Sequence, residues 1–406
     1  MSPPEKLIGI IGKTNVGKST LFAALTLASV PIANHPFTTI KPNIGIGYVK
    51  KKCVHVELGT RCNPRTGYCI KGYRFIPVKI IDVAGLIPGA SKGRGLGNKF
   101  MDDLRQADVL IHVVDAAGST SPEGNPVAPG TYDPVEEAIL IQKEVDEWFV
   151  SVINRVWERF IKKLYTTKNP LDLLAQTLSG LSIKKNHVVE AIRKCGLEDK
   201  KFNAWSSEDI RKFAIQLRHV AKPIIIAANK IDLSPAEHNI DRLIDVFGKE
   251  KVVPVSALAE LALKKAALSN LIEYIPGEPS FKISDYTKLT ASQKRGLKYI
   301  EDKVLAKWGT TGVQELLNRA VFNILNLIVV YPVEDHHRYT DHHGNVLPDA
   351  YLVPKGTTAR ELAYMIHTDL GRTFLYAINA RTGERLGENY ELQDNDIVKI
   401  VAVAAH

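Results

Sequence analysis

The chain has little cysteine: four residues in 406, namely Cys53, Cys62, Cys69 and Cys195. That number excludes a disulfide-framed scaffold. No apolar run reaches the roughly 18 residues that a membrane helix requires, so no membrane partner is expected. The first residues, MSPPEKLIG, pass from a short polar lead into an apolar run without a signal-peptide pattern, and a cytoplasmic location is the expectation. What is present is ordinary for a globular protein: 45% hydrophobic and 24% charged residues, with enough length for two or three domains and a substantial core.

Charge is positive and uneven. The formal net charge is +9. Residues 150–218 hold 14 Lys/Arg against 7 Asp/Glu, and residues 48–81 hold 8 against 1. Residues 330–406 reverse the sign, with 7 basic and 11 acidic side chains. Two basic stretches imply a polyanionic partner, bound in a salt-sensitive way; solvated helix faces of mixed charge are the competing explanation.

Three of the cysteines lie near a histidine in the pattern C-x-H-x6-C-x6-C: Cys53, His55, Cys62 and Cys69. Four soft ligands in 17 residues have the chemistry for zinc. The stretch lacks a C-x-x-C knuckle, so reduced structural thiols are expected rather than a zinc site. The pairs His336–His337 and His342–His343 sit in a charged, turn-like segment and are expected on a surface loop.

Against this background one string stands out. Residues 12–19, GKTNVGKS, fit the phosphate-loop pattern G-x-x-x-x-G-K-[ST], with a short apolar run before and a helical pattern after. Gly12 and Gly17 let the backbone curl so that N–H groups, those of Asn15, Val16 and Thr20 included, point at phosphate oxygens, with the helix N-terminus behind them. Lys18 is placed to reach the β- and γ-phosphates and Ser19 to bind Mg2+. Three further strings follow in order. IIDVAG (80–85) ends in D-x-x-G, where Asp82 is placed to hold Mg2+ and the Gly85 N–H to sense a γ-phosphate. PIIIAANKID (223–232) ends in N-K-x-D. Its Asp232 carboxylate accepts two hydrogen bonds that guanine offers and adenine does not, a difference worth ~10⁴-fold or more in a site built around it. Asn229 bonds the other edge of the base and Lys230 lies over its plane. VVPVSAL (252–258) supplies Ser256, Ala257 and Leu258, whose backbone N–H groups meet guanine O6. Each string is weak alone; four in order, each after a strand pattern, predict a Mg2+-dependent GTP/GDP pocket.

Between the strand predicted at 108–115 and that at 223 lie about 80 residues more than such a core needs. Asp133 is placed to cap a helix opened by Pro134, Asn186–Cys195 reads as a helix stopped by Gly196, and Ser206 with Asp209 forms a capping-box pattern. Residues 138–218 are expected to be a helical, arm-like insertion, best fitted by two long antiparallel helices. Beyond residue 326 the pattern alternates. Leu327–Val333, Ala350–Val353, Phe374–Asn379 and Ile397–Ala402 read as strands, and Thr357–Leu370 as one helix across them.

These segments resemble the YchF branch of the Obg-type GTPases, in an archaeal-like form, over nearly the whole chain. The likeness rests on NVGKSTLF (15–22), NHPFTTIKPNIG (34–45), DVAGLIPGASKGRGLGNKF (82–100) and NKID (229–232). PKGTTARELAYMIHTDLG (354–371) is similar to a TGS domain, a ubiquitin-like β-grasp fold. The resemblance implies an α/β Ras-like P-loop GTPase domain (1–137 and 219–325), a helical, coiled-coil-like insertion (138–218) and a TGS α+β domain (326–406). It implies a slow GTPase acting as a switch on ribosomes or structured RNA (tRNA, rRNA), with no DNA partner. It makes Thr39 a switch threonine on Mg2+ and 89–98 the second switch loop.

Leu86 stands where many GTPases carry a water-orienting glutamine, so intrinsic hydrolysis on the order of 10⁻⁴–10⁻³ s⁻¹ is expected. The resemblance offers Asn15 as a K+ ligand, and a ribosome that orders the loop near 118–130, as sources of stimulation; the histidine of bacterial relatives is missing from that loop. The catalytic group is therefore left open. Many relatives have a degraded N-K-x-D and prefer ATP, whereas here Asn229, Lys230 and Asp232 are intact. An ATP-hydrolysing member of the family, or a nucleotide-holding scaffold with little turnover, is the alternative.

Overall fold

The computed structural model describes residues 6–28, 43–83, 104–165 and 167–403. They fall in two compact units: Leu7–Ala24 with Ile80–Leu316, and Met1–Lys6 with Leu25–Lys79 and Leu317–His406.

The first unit is built on a parallel sheet. Strand β1 (Leu7–Ile11) pairs with β5 (Val109–Asp115), β5 with β6 (Ile224–Asn229), and β6 with β7 (Val252–Val255), while β8 (Ile272–Glu273) and β9 (Lys282–Ile283) form a separate antiparallel pair. Beside β1, the Val83 N–H donates to the Ile10 carbonyl at 3.2 Å, just past the end of β4 (Tyr73–Asp82). Every residue of β5 and β6 is buried. Strands covered on both faces need near-continuous apolar runs, which is why VLIHVV, interrupted only by His112, and IIIAA do not alternate. The register sets Asp115 opposite Asn229 and Asn229 opposite Val255. The loops leaving these strands therefore share one edge of the sheet, the carboxyl edge where ligands of open α/β sheets bind.

A helical insertion follows β5. Its first helix, Pro134–Leu164, runs for 31 residues. Asp133 caps it by accepting from the Val135 N–H at 2.9 Å, Pro134 opens it, and Glu136 and Glu137 at the start with Lys162 and Lys163 at the end complement its dipole. Three shorter helices complete the insertion: Pro170–Leu178, Lys185–Cys195 and Ser207–Ala221. The two long antiparallel helices expected for this region are thus one long helix and three short ones. Pro170 and the left-handed Ser182 and Gly196 break the return path. An aromatic cluster locks it, with the Trp157 and Trp205 rings stacked at 4.9 Å and Phe160, Phe202 and Phe213 around them. The Ser206–Asp209 capping box and the Gly196 stop are both present.

The second unit holds two groups of paired strands. Strands β2 (Ile44–Lys52) and β3 (Tyr68–Ile70) flank the first part of β4. The other sheet has the order β11–β10–β14–β12–β13, formed by β10 (Leu327–Val333), β11 (Tyr351–Pro354), β12 (Phe374–Asn379), β13 (Arg385–Leu386) and β14 (Asp396–Ala402). β10 and β14 are parallel; the other pairs are antiparallel. The helix Ala359–Ile366 packs Ala359 and Leu362 on Val330, Val353, Ala377 and Val398. The single helix expected over Thr357–Leu370 breaks at His367, whose backbone is extended (φ −157°, ψ 139°) and whose ring caps the next turn, Thr368–Arg372.

Opposite charges meet inside this unit. Lys51 pairs with Asp394, Arg65 with Asp349, and Arg381 with Glu57 at 3.1 Å. Arg74, wholly buried, donates to the Leu347 and Pro348 carbonyls at 3.0 and 3.1 Å. Part of the basic stretch 48–81 therefore faces the acidic C-terminal module of its own chain and not an outside polyanion. In the insertion Arg218 pairs with Asp146 at 2.6 Å and Lys185 with Asp172 at 2.6 Å, but Arg155, Arg159, Lys162 and Lys163 are exposed on one face of the long helix.

Candidate nucleotide site

The loop from β1 to the helix Lys18–Thr26 carries three residues with left-handed or otherwise positive φ: Gly12 at 143°, Asn15 at 63° and Gly17 at 102°. At Gly12 a Cβ would lie 2.6 Å from the Val113 carbonyl oxygen; at Gly17 it would lie 2.2 Å from Asn229 Nδ2. Both glycines are there because backbone and a neighbouring amide fill the space of a side chain. Val16 is buried beneath the loop, and Thr20 is half-buried on the helix.

Lys18 lies across the loop, donating from Nζ to the Lys13 carbonyl at 2.8 Å. Burial pushes its pKa down, and the nearby Asp82 opposes that shift. Asp82, at the end of β4, accepts from Ser19 Oγ at 3.4 Å. Burial pushes its carboxyl up, against the pull of Lys18 and Ser19. Its Oδ1 is buried with no hydrogen-bond partner among the described residues.

Asn229, at the end of β6, is the joint of the site. Its Nδ2 donates to the Val16 carbonyl at 2.9 Å, and its Oδ1 accepts from the Ala257 N–H at 3.1 Å. One buried amide thus ties the phosphate loop to the segment after β7. Lys230, at φ 67°, sends its ammonium to Asp115 at 2.8 Å, Ser119 at 3.1 Å and Thr120 at 3.2 Å. Asp232 is half-buried and accepts from Ser256 Oγ at 3.3 Å. Ser256 also caps the helix Ala257–Leu268, and Leu258 in its first turn turns its side chain to solvent.

The segment 118–130 is buried at its start and at Gly124 and exposed over most of its remaining length. Ser119, Thr120 and Ser121 are buried, and Thr120 bridges to Pro126. Asn15 Nδ2 donates to the Gly124 carbonyl at 2.7 Å, and Lys13 Nζ to the Thr120 carbonyl at 2.9 Å. Lys13 also pairs with Glu137, whose carboxyl burial pushes up. Thr39, Gly85 and Leu86, with the loop 89–98, lie outside the described residues.

Three family models match this chain in succession: a 50S ribosome-binding GTPase over residues 7–155, the G4 motif-containing domain of YGR210-like Obg-like GTPases over 227–335, and a TGS domain over 338–402. A GTP-binding protein of Methanocaldococcus jannaschii is 50% identical across 98% of this chain and 99% of its own length. The ribosome-binding ATPase YchF of Mycoplasma pneumoniae is 30% identical across 69% of this chain and 73% of its own. The crystal structure of a GTP-binding protein from Pyrococcus horikoshii superposes with a TM-score of 0.77 at 42% identity, over 98% of this chain and 99% of that one. The chain belongs to the YchF branch of the Obg-family P-loop GTPases.

As a YchF-type protein it has a P-loop GTPase domain, a helical region and a C-terminal TGS domain. The donors at its phosphate loop fit Mg2+: an all-oxygen set of Ser19 Oγ and Asp82, with one carboxylate oxygen buried and unpartnered. Bound there, the ion would neutralise charge on the β- and γ-phosphates.

Sequence patterns missed two neighbours of the turn that carries Asp232. Tyr299 donates its hydroxyl to Asp232 Oδ2 at 3.4 Å, and Trp308 Nε1 donates to the Ile231 carbonyl at 3.2 Å. Both come from a helical stretch about 70 residues downstream, and no local motif marks them. The expectation for Cys53, His55, Cys62 and Cys69 also changes in one respect. Spacing without a knuckle implies separate thiols, yet the four ligand atoms lie within 4.8 Å of one another. The turn Val54–Val56 after β2 and the β3–β4 hairpin fold the chain back, which linear spacing does not reveal.

Proposed function

We propose that this chain binds GTP with Mg2+, hydrolyses it slowly to GDP and phosphate, and uses the difference between the two states as a switch on ribosomes or structured RNA in the cytoplasm. The observation that carries the nucleotide reading is Asn229. It couples the Val16 carbonyl to the Ala257 N–H, with the Asp232 carboxylate beside Ser256 on the same edge. That arrangement supports Gly12, Asn15, Val16, Gly17, Lys18, Ser19 and Thr20 as the phosphate side of the site, to which Gly85 is added from its D-x-x-G motif. It supports Asn229, Lys230, Asp232, Ser256, Ala257 and Leu258 as the base side. Ser19 and Asp82, with Thr39, would hold the metal.

The partner reading is supported by the exposed Arg155, Arg159, Lys162 and Lys163 and by the names of the relatives, one a ribosome-binding ATPase. We take 138–218 as the RNA-facing insertion and 326–406 as the TGS module, with 1–137 and 219–325 as the GTPase domain. Asn15 keeps its carbonyl oxygen free of the Gly124 contact, which supports K+ there as a stimulant in place of the glutamine that Leu86 replaces.

ATP as a second substrate has one observation in its favour. The Tyr299 hydroxyl occupies Asp232 Oδ2, the carboxylate on which guanine selection depends. Co-sedimentation with ribosomes tests the switch. Binding should differ between GDP and a non-hydrolysable GTP analogue and weaken steeply between 50 and 200 mM salt, by roughly 10³-fold if about six phosphates are contacted. Pelleting indifferent to nucleotide and salt rejects the proposal.

A further inference from the structure

We propose that Cys53, His55, Cys62 and Cys69 form a closed structural zinc site that fixes the loop 62–69 against the TGS module. The geometry points to it directly. With Zn–S near 2.3 Å and Zn–N near 2.05 Å, a tetrahedron sets two sulfurs about 3.8 Å apart and a sulfur and a nitrogen about 3.6 Å apart. Cys53 Sγ and Cys62 Sγ are 3.8 Å apart; His55 Nδ1 is 3.2 Å from Cys62 Sγ and 3.6 Å from Cys69 Sγ. The separation of 3.8 Å is far too long for a disulfide of about 2.05 Å, and all four cysteines of the chain are free thiols. Three thiols and an imidazole converging on one point, with Cys53 buried, leave no open position for a substrate. That is the signature of a structural and not a catalytic site.

Charge and connectivity agree. Zinc with three thiolates and a neutral histidine carries a net charge of about −1. The wholly buried Arg74 follows Cys69 in the β3–β4 hairpin, opposite it in the register, and its Nε has no hydrogen-bond partner among the described residues. The loop that Cys62 and Cys69 would close carries the contacts to the C-terminal module: the Asn63 N–H donates to the Val346 carbonyl at 3.1 Å, the Arg65 N–H to the Pro348 carbonyl at 2.8 Å, and Thr66 Oγ1 to Asp349 at 3.0 Å. Zinc would hold the loop in the shape these bonds require.

The full chain, purified under reducing conditions with zinc supplied and then passed through a chelating column, should retain about one zinc per chain by mass spectrometry. Cobalt in its place should give the intense visible bands of a tetrahedral thiolate site. Cys62→Ser and Cys69→Ser should each lose most of the metal, whereas Cys195→Ser, outside the cluster, should keep it. Should a serine variant fail to fold, the wild-type chain still decides. Zinc must shield three of its four thiols from a thiol reagent, and stripping it must expose residues 62–69 to protease. Retention below about a tenth of an equivalent, or equal thiol reactivity with and without zinc, overturns the proposal.

Discussion

Asn229 Nδ2 donates to the Val16 carbonyl at 2.9 Å and occupies the space that a Cβ on Gly17 would need. The last residue of β6 therefore decides the shape of a loop more than 200 residues earlier. Asn229→Ala removes both of its buried hydrogen bonds, a loss of about 1–3 kcal/mol, or roughly 5- to 150-fold in affinity. Because the amide holds the phosphate loop, GDP and ADP should weaken together. Gly17→Ala should do the same more severely, since it adds strain at φ 102° to the clash. Titration with fluorescent GDP and ADP reads both effects; an unchanged affinity in either variant would remove Asn229 from its role as joint.

Lys18 and Asp82 should separate phosphate binding from metal binding. Lys18→Ala should abolish detectable uptake of triphosphate at micromolar protein. Asp82→Asn should leave diphosphate binding in place and remove most of the Mg2+ dependence of triphosphate binding. Burial raises the Asp82 carboxyl, so in the nucleotide-free protein Mg2+ affinity should begin to fall at a higher pH than an ordinary aspartate would give. Magnesium titrations at several pH values check this.

The Tyr299 hydroxyl donates to Asp232 Oδ2 at 3.4 Å, the oxygen that a guanine base would need on the proposed reading. Tyr299→Phe frees that oxygen and should raise the ratio of GDP to ADP affinity by about 3- to 10-fold, the worth of one long hydrogen bond. A ratio that does not move would make the hydroxyl a bystander.

His112 lies wholly buried in β5 with neither ring nitrogen hydrogen-bonded among the described residues, and burial pushes its pKa down from 6.5 to about 3. The unfolded chain takes up a proton below pH 6.5 where the folded chain does not. The stability tied to this group is present above that pH and is lost as pH falls toward 3, by up to about 1.4 kcal/mol per pH unit. His112→Leu should flatten the slope of stability against pH in that window, measured by urea unfolding at pH 7, 6 and 5. A slope identical to wild type would mean that the ring is solvated.

Much of the candidate nucleotide site was legible in the sequence because its parts are local: a loop and a strand end each carry their own pattern. Asp82, Asn229 and Ser256 all sit where strand patterns end, and the parallel register brings them together. What was hidden depends on long-range packing. Tyr299 reaches Asp232 from a separate helix, and Lys13 and Asn15 pin the 118–130 segment through backbone carbonyls that carry no sequence signal. The insertion was read as helical from its caps, but the number of helices followed from Pro170 and from an aromatic cluster whose members lie up to 56 residues apart, Trp157 and Phe213. Cys53 and Cys69 converge only because the chain doubles back between them.

The most direct measurement is a calorimetric comparison of GDP and ADP binding to the wild-type chain and to Asp232→Asn. The account predicts that the wild-type chain takes GDP at least about 100-fold more tightly than ADP and that the substitution erases most of the difference. ADP bound as tightly as GDP, or a preference that survives the loss of the carboxylate, would contradict it.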